Sequence, residues 1–326
     1  MTDGTGLAAL RPEWSALFDA CPDTSPFQSP EWLFPWFCHF AGERLWVLAI
    51  RRAGRLVGLA PFFLHVEPRS CRRQVTLLGN GVSDRLNLLA VPDQGEAVAS
   101  AVFDHLVRRA ERWDSCDLRD LPEASPLLHA PLAVMADDHV EPEEPCPVAR
   151  LPRTAEQVLG TLPRRMRSDL RRRARRAAEL GTLRYETADA ANRAEYLAAL
   201  LRLHAARWRA RGQAGVLDGT VLAAFHDEVT NGLLKRGLLR LHVLRLGGQI
   251  IAAQYAMHHR DRGYSYIGGF DPRFAGLGPG ALLIARTLER AVQDGAAEFD
   301  FLRGRERYKY GWGAADRPQF RRQIRK

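Results

Sequence analysis

Several signals that mark other classes of protein are missing from this sequence of 326 residues. No uninterrupted apolar run approaches the roughly 20 residues that a membrane-spanning helix requires. The amino-terminal stretch MTDGTGLAALRPEW has no basic region followed by an apolar one, which a secretory signal would show. Apolar residues make up 46% of the chain and charged residues 26%, which excludes wholesale disorder. We therefore expect a soluble, cytoplasmic protein of about two domains.

Cysteine is scarce and its spacing is irregular. The five cysteines are an odd number and include no C-x-x-C pair, which argues against a disulfide framework and against a closed zinc site. The adjacent His258 and His259 lie on a predicted strand and would face opposite ways. The sequence predicts no metal site.

Lysine is also scarce, since 44 of the 47 basic residues are arginine. Residues 1–150 carry 14 Lys and Arg against 21 Asp and Glu, a net charge of −7, whereas residues 151–326 carry 33 against 17, a net charge of +16. A basic half joined to an acidic half suggests that the carboxyl-terminal half meets an anionic ligand. A genomic preference for arginine is the alternative explanation.

The same order of elements recurs on both sides of an acidic, proline-rich segment at 141–147, so we place the domain boundary near residue 150. Each half contains helices, a hairpin, a further strand, a helix and a last strand. The hairpin turns superimpose when Gly248 is aligned with Gly54. These patterns predict two α/β domains, 1–150 and 151–326, that arose by duplication.

The sharpest local motif is GGFDPRFAGLGPGALL at 268–283, which follows a predicted strand and opens a helix. Glycines here let the backbone approach a ligand, and N–H groups at a helix N-terminus can hold a phosphate or diphosphate. The stretch fits neither the dinucleotide fingerprint nor the Walker loop. The plain alternative is a glycine-rich turn that binds nothing.

Within this motif, Arg273-x-x-Gly276-x-Gly278 resembles the R/Q-x-x-G-x-G/A loop of the GCN5-related N-acetyltransferase (GNAT) superfamily, with one extra residue at Gly280. The resemblance implies that the loop holds the diphosphate of acetyl-CoA or another acyl-CoA. We also expect a β-bulge at Gly268-Gly269. In the superfamily such a bulge aims a backbone N–H at the thioester carbonyl, which implies a cofactor-binding role for Gly269.

Three motifs together resemble the GNAT family named for cellulose biosynthesis (CelD/BcsL-type), which is similar to the FemABX tandem-GNAT transferases. They are SPFQSPEW at 25–32, YIGGFDP at 266–272 and FDFLRGRERYKYGWG at 299–313. The resemblance implies a tandem GNAT fold, an α/β fold with two mixed central sheets flanked by helices. It also implies transfer of an acyl group to an amine or hydroxyl of a sugar, polysaccharide or cell-envelope precursor. The second domain would bind the donor, and a degenerate first domain would shape the acceptor site.

Three residues of the last motif are candidates for the chemistry. Acyl transfer needs a base for the nucleophile, an acid for the leaving thiolate and a hydrogen-bond donor for the oxyanion. Glu306 is the candidate base, with a surface ion pair to a neighbouring arginine as its alternative. Tyr308 could protonate the thiolate, or it could pack against Trp312. Lys309 could supply a point charge to a carbonyl or phosphate, or it could be an ordinary surface lysine.

Six further residues are candidate substrate contacts, several of which have a structural alternative. Asp300 could instead orient Arg303, and the two tryptophans could be packing residues. The six are Asp84, Trp208, Gln254, Asp300, Arg303 and Trp312.

The run Arg164–Arg176 contains eight arginines in thirteen residues, on a helix predicted over 163–180. Its only apolar stripe is Met166, Leu170 and Ala174. It could contact a phosphate of the acceptor, an RNA backbone or an anionic membrane, and a solvated helix between domains is the alternative. We prefer the acceptor phosphate and expect no stable nucleic-acid partner.

Two other functions remain open at this stage. One is an aminoacyl-tRNA-dependent transferase, because FemABX-like enzymes of that type have the tandem GNAT architecture. The other is a non-catalytic tandem GNAT protein that binds RNA or anionic lipid. The glycine-rich loop favours a CoA donor over an aminoacyl-tRNA, because a free diphosphate needs such a loop and the acceptor end of a tRNA need not.

Overall fold

The computed structural model describes residues 4–41, 44–132, 137–209, 212 and 219–326. It contains helices α1 (Gly4–Ala20), α2 (Pro30–Trp36), α3 (Gly95–Arg108), α4 (Pro126–His129), α5 (Arg164–Leu180), α6 (Arg193–Arg209), α7 (Thr220–Lys235), α8 (Pro279–Gln293) and α9 (Arg307–Gly311). Its strands are β1 (Leu45–Arg52), β2 (Arg55–Val66), β3 (Arg73–Leu77), β4 (Leu89–Ala90), β5 (Ser115–Pro122), β6 (Asp137–Pro142), β7 (Cys146–Arg150), β8 (Leu183–Thr187), β9 (Leu239–Leu246), β10 (Gln249–His259), β11 (Arg262–Phe270), β12 (Glu298–Asp300), β13 (Ala315–Arg317) and β14 (Gln319–Arg325).

The chain folds into two compact units, each built on a mixed seven-stranded sheet. The first unit comprises Met1–Pro145 and Pro318–Lys326, and its sheet has the order β1-β2-β3-β5-β14-β6, with β4 paired to β2. The second unit comprises Cys146–Arg317, with the strand order β13-β7-β12-β11-β10-β9-β8. The predicted α/β fold with two mixed sheets flanked by helices is confirmed.

The duplicated order of elements is also present. Helices α1 and α2 precede β1–β3, α3 and β5, while α6 and α7 precede β9–β11, α8 and β12. The first hairpin turns at Ala53-Gly54 and the second at Gly247-Gly248, and all four residues have positive φ. Two-residue turns of this kind match the twist of the flanking strands. The alignment of Gly248 with Gly54 is thus confirmed.

The last strand lies in a different unit from the one expected. The sequence places everything after residue 150 in the second domain, but β14 pairs antiparallel with both β5 and β6 of the first sheet. Two interactions hold it there. Arg321 is ion-paired with Asp117, and Ile324 lies in the apolar core of that unit. Strand β7, before the expected boundary, pairs with β12 and β13 of the second sheet.

The β-bulge lies earlier on β11 than the sequence suggests. Tyr255 is opposite Ile267 and Ala256 is opposite Ser265, so Tyr266 is the extra residue. The prediction of a bulge at Gly268-Gly269 is therefore wrong. The bulge falls two residues beyond the last parallel pair of β11 and β12, where β11 continues past the end of β12.

The two glycines serve close packing instead. A methyl group on Gly269 would lie 2.6 Å from the backbone nitrogen of His204, so only glycine lets α6 approach β11 here. A methyl group on Gly268 would lie 2.6 Å from Oε1 of Gln254. These contacts fix α6 and β10 against the carboxyl end of β11.

Helix α5 buries the predicted apolar stripe. Leu170 and Ala177 lie in the core of the second unit, and Met166 and Ala174 pack against it. Its arginines lie on the remaining faces, most of them exposed. Helix α5 therefore places positive charge on the surface of this unit. Among the described residues, no helix combines the length and apolarity needed to cross a membrane.

Candidate functional site

The glycine-rich motif forms a short 3₁₀ helix that leads directly into α8. The 3₁₀ helix spans Pro272–Leu277, and Asp271 caps it by accepting from the Arg273 N–H at 3.0 Å. Gly278 follows in the left-handed conformation (φ 60°, ψ 48°) and is the residue from which α8 begins. A left-handed residue at this point turns the chain sharply, which glycine tolerates without strain.

The backbone on this loop is accessible around its glycines. A methyl group on Gly276 would meet no atom within 4 Å, and one on Gly280 would lie 3.5 Å from the Phe270 ring. The Gly278 N–H is not free, because it donates to the Ala275 carbonyl at 2.9 Å. The loop therefore leaves Gly276 and Gly280 open beside the positive end of the α8 dipole, which fits a diphosphate.

Arg273 is held by its own loop. Its guanidinium is ion-paired with Asp271 at 2.7 Å and stays largely exposed to solvent. The hydrogen bonds from Arg273 keep the pKa of the Asp271 carboxyl below its ordinary value. Arg273 thus braces the turn that carries the glycines.

A second arginine, which sequence reasoning missed, lies against the loop but belongs to α5. The Arg173 guanidinium from α5 occupies the space that a side chain on Gly278 would fill. Arg173 also donates through Nε to Asp169 Oδ2 at 2.5 Å. The arginine run predicted a basic helix, but eight similar arginines gave no signal for which of them reaches the glycines.

Strands β11 and β12 are parallel for three residue pairs, ending at Tyr264 and Asp300, and β11 continues to Phe270 beyond the end of β12. Asp300 is buried, and its Oδ1 accepts from the Leu302 N–H at 2.8 Å. Leu302 has a positive φ of 58°, which is costly for a residue with a branched side chain. The contact assigns Asp300 to fixing the turn after β12.

Lys309 is a buried residue that stabilises the loop after β12. Its side chain is 3% exposed, and Nζ donates to the carbonyls of Leu302, Arg303 and Gly304 at 2.8, 2.7 and 3.0 Å. Nζ is also 2.9 Å from the Glu306 carboxylate. The compact charge does act on carbonyl oxygens, but these belong to the chain itself. Lys309 therefore holds together the loop that carries Glu306 and Tyr308.

We expect Lys309→Met to lower the free energy of unfolding by about 2 kcal/mol, because three carbonyls lose a charged donor. Urea denaturation measures the change. Lys235→Met, on an exposed site at the end of α7, is the control and should stay within about 0.5 kcal/mol of the wild type. Equal stability of the two variants would contradict the role of Lys309 in stabilising this loop.

Tyr308 lies in the first turn of α9, with its ring centroid 6.4 Å from that of Phe301. Tyr308 is 44% exposed, but desolvation by its neighbours raises the pKa of Tyr308 to about 12, the Glu306 carboxylate adds to the rise, and the Arg207 cation partly offsets it. Arg207, on α6, lies over the Phe270 ring at 5.3 Å. The phenol therefore stays protonated at physiological pH.

The remaining candidates occupy different settings. Gln254 is buried and donates to Ser265 Oγ at 3.0 Å and to the Ile267 carbonyl at 3.3 Å, so it braces β11. Trp312 is buried in the core of the second unit. Trp208 is half-buried at the end of α6, with its ring 5.9 Å from that of His204.

Two candidates lie in loops. Arg303 is half-buried and follows β12, and its carbonyl is one of those bound by Lys309. Asp84 is half-buried between β3 and β4 of the first unit. Within the described ranges, no group of three or more His, Cys, Asp or Glu side chains is placed to hold a metal ion.

Comparisons with known proteins agree with this geometry. Residues 164–310 match the family model of the acetyltransferase (GNAT) domain. The fold is similar to the crystal structure of FemX, with a TM-score of 0.71 and 13% identity over 95% of each chain. No curated protein sequence matches the chain.

Two further structures show the same likeness. The C-terminal domain of a putative lysylphosphatidylglycerol synthetase from Agrobacterium fabrum has a TM-score of 0.60 and 10% identity, over 98% of this chain and 92% of that one. A tandem GNAT protein from the clavulanic acid biosynthesis pathway has a TM-score of 0.50 and 12% identity, over 98% and 95%. The chain therefore has a fold like that of tandem GNAT proteins, and its residues 164–310 are similar to the acetyltransferase (GNAT) domain.

Proposed function

We propose that the protein transfers an acyl group from acetyl-CoA or another acyl-CoA to an amine or hydroxyl of a sugar, polysaccharide or cell-envelope precursor. The observation that supports it most is the glycine-rich loop, which joins the end of β11 to the N-terminus of α8. Strand β11 continues beyond the end of β12 toward the loop, so a donor held at the loop could extend its thioester along this part of β11. The finer kinship to the CelD/BcsL-type family, and hence to cellulose or polysaccharide biosynthesis, is part of this proposal.

The donor would be held by the loop through Arg273, Gly276, Gly278 and Gly280, with its diphosphate at the N-terminus of α8. A backbone N–H from the part of β11 beyond the end of β12, residues 265–270, would stabilise the oxyanion. That stretch includes Gly269 and the bulge. We assign donor binding to the second unit and recognition of the acceptor, with Asp84, to the first.

The transfer itself needs two proton movements. The acceptor's lone pair forms a bond to the thioester carbon, and the carbonyl electron pair moves to oxygen. When the carbonyl re-forms and the C–S bond breaks, the thiolate takes the proton of the Tyr308 hydroxyl. The acceptor's surplus proton leaves to the Glu306 carboxylate, directly or through water, and passes from there to the Tyr308 phenolate, which restores both groups. Lys309 holds both residues on one short loop.

Tyr308→Phe should lower kcat by about 100-fold while leaving KM nearly unchanged, since only the proton donor is removed. Because the pKa of Tyr308 is about 12, the wild-type rate should show no fall from this group below about pH 11. Steady-state thiol release across pH measures both effects. Tyr310→Phe, which loses only a hydrogen bond to Asp316, is the control. A Tyr308→Phe enzyme as active as the control would remove Tyr308 from the mechanism.

The exposed arginines of α5 favour one other candidate function, an aminoacyl-tRNA-dependent transferase. Calorimetric titration with acetyl-CoA and with bulk tRNA separates the two. We expect acetyl-CoA to bind. Binding of tRNA without binding of acetyl-CoA would reverse the order, and a protein that binds only RNA or anionic vesicles would not be an acyltransferase. A phosphate of the acceptor remains our preferred ligand for the exposed arginines of Arg164–Arg176, from which the half-buried Arg173 is set apart.

A further inference from the structure

Arg173 occupies an unusual place for a cation. Its guanidinium lies against Gly278, the left-handed residue from which α8 begins, so that even a methyl group there would overlap Arg173 Nη1. The N-terminus of a helix carries a partial positive charge of about half a unit. A guanidinium at this end is repelled unless an anion lies nearby.

In the protein alone that anion is Asp169, one helical turn before Arg173 on α5. Its carboxylate accepts from Arg173 Nε and also from Arg172. Burial alone would raise the pKa of Asp169, but these two ion pairs outweigh it and hold the pKa below its ordinary value. Asp169 therefore carries a negative charge beside the donor loop.

Arg173 differs from its neighbours in burial as well as in position. Its side chain is 33% exposed, whereas that of Arg172, which shares Asp169, is 64% exposed. The apolar stripe of α5 fixes the helix against the core, so Arg173 is carried to the loop by a rigid element. Arginine presents several donors in a planar fork, which suits the oxygens of a diphosphate.

We propose that Arg173 is a donor-binding residue that closes on the diphosphate held at Gly278, and that Asp169 is the internal carboxylate it exchanges for that anion. This inference rests on the proposed function. It makes α5 a part of the donor site and gives the loop a preference for donors with a diphosphate. A donor that lacks the diphosphate, such as pantetheine, would gain no affinity from Arg173.

The test is calorimetric titration of the whole protein with CoA, inorganic diphosphate and pantetheine. Arg173→Met should weaken CoA and diphosphate by about 10- to 100-fold and leave pantetheine unchanged. Asp169→Asn should tighten diphosphate binding by about threefold, because the competing charge is lost. Arg184→Met, which removes an exposed arginine from β8, is the control and should bind CoA like the wild type. Thermal unfolding of each variant shows that it is folded.

The outcomes separate this inference from the proposed function. If the wild type binds CoA and Arg173→Met binds it equally or more tightly, Arg173 is not a donor ligand and the inference fails alone. If Asp169→Asn weakens diphosphate binding, the exchange is wrong. If the wild type binds diphosphate through Arg173 but does not bind CoA, the acyl-CoA proposal fails, and Arg173 is still an anion-binding residue. Binding of neither ligand overturns both.

Discussion

Gly278→Glu is expected to lower the affinity for acetyl-CoA by about 1000-fold, or ~4 kcal/mol, in a protein that remains folded. Gly278 has φ of 60°, where a side chain is strained, and the new carboxylate would enter the space beside Arg173. There it would form the ion pair that a diphosphate would otherwise form, and it would repel the diphosphate itself. The change therefore removes the anion site by occupying it.

Calorimetric titration with acetyl-CoA measures the loss, and thermal unfolding shows whether the variant is folded. Gly160→Glu is the matched control, since it adds the same charge at an exposed position where a methyl group meets no atom within 4 Å. It should bind acetyl-CoA like the wild type. If Gly278→Glu also binds like the wild type, the loop does not hold the donor and the acyl-CoA proposal falls.

The sequence predicted those parts of the site that depend on local patterns. Paired turn residues marked both hairpins, and the spacing of Met166, Leu170 and Ala174 marked the buried face of α5. Glycines between a strand and a helix marked the donor loop. In each case neighbouring residues carry the physical cause, so no distant contact is needed to see it.

The parts that the sequence missed depend on contacts between distant segments. The approach of Arg173 to Gly278 joins residues more than 100 positions apart, and nothing distinguishes Arg173 locally from the other arginines of its helix. From the sequence, Lys309 could equally be an exposed lysine. Its burial depends on the carbonyls of its own loop, which surround Nζ only in the folded chain. Gly269 resembled a bulge because a glycine that admits a helix and one that forms a bulge look the same in a sequence.

The final strand is the largest such case. The sequence prediction assigned no element to QFRRQIR, and alternation alone would not say which sheet receives a strand. The answer lies in Arg322, whose side chain is only 5% exposed. It donates to Asp138 at 2.9 and 2.6 Å and to the carbonyls of Leu127 and Ala130 at 2.8 and 2.9 Å. A buried arginine with these partners fits only between β5 and β6.

Arg322→Met should therefore lower the free energy of unfolding of the first unit by about 3 kcal/mol. Methionine can still pack on the Phe103 ring, which the guanidinium covers at 4.7 Å, but Asp138 and two carbonyls lose their donors. We choose the lower end of the usual range because Asp138 is partly exposed and can be rehydrated. Urea denaturation followed by tryptophan fluorescence measures the loss, since Trp113 lies in the same core.

Arg325→Met on the same strand is the control for this change. Its side chain is 60% exposed and lies 4.0 Å from Asp137, so its loss should cost no more than about 0.5 kcal/mol. The difference between the two variants isolates burial, because both remove one arginine from one strand. If they unfold at the same urea concentration, the network around Arg322 does not hold β14 in the first sheet. The placement of β14 in the first sheet would then need another cause, such as the ion pair between Arg321 and Asp117.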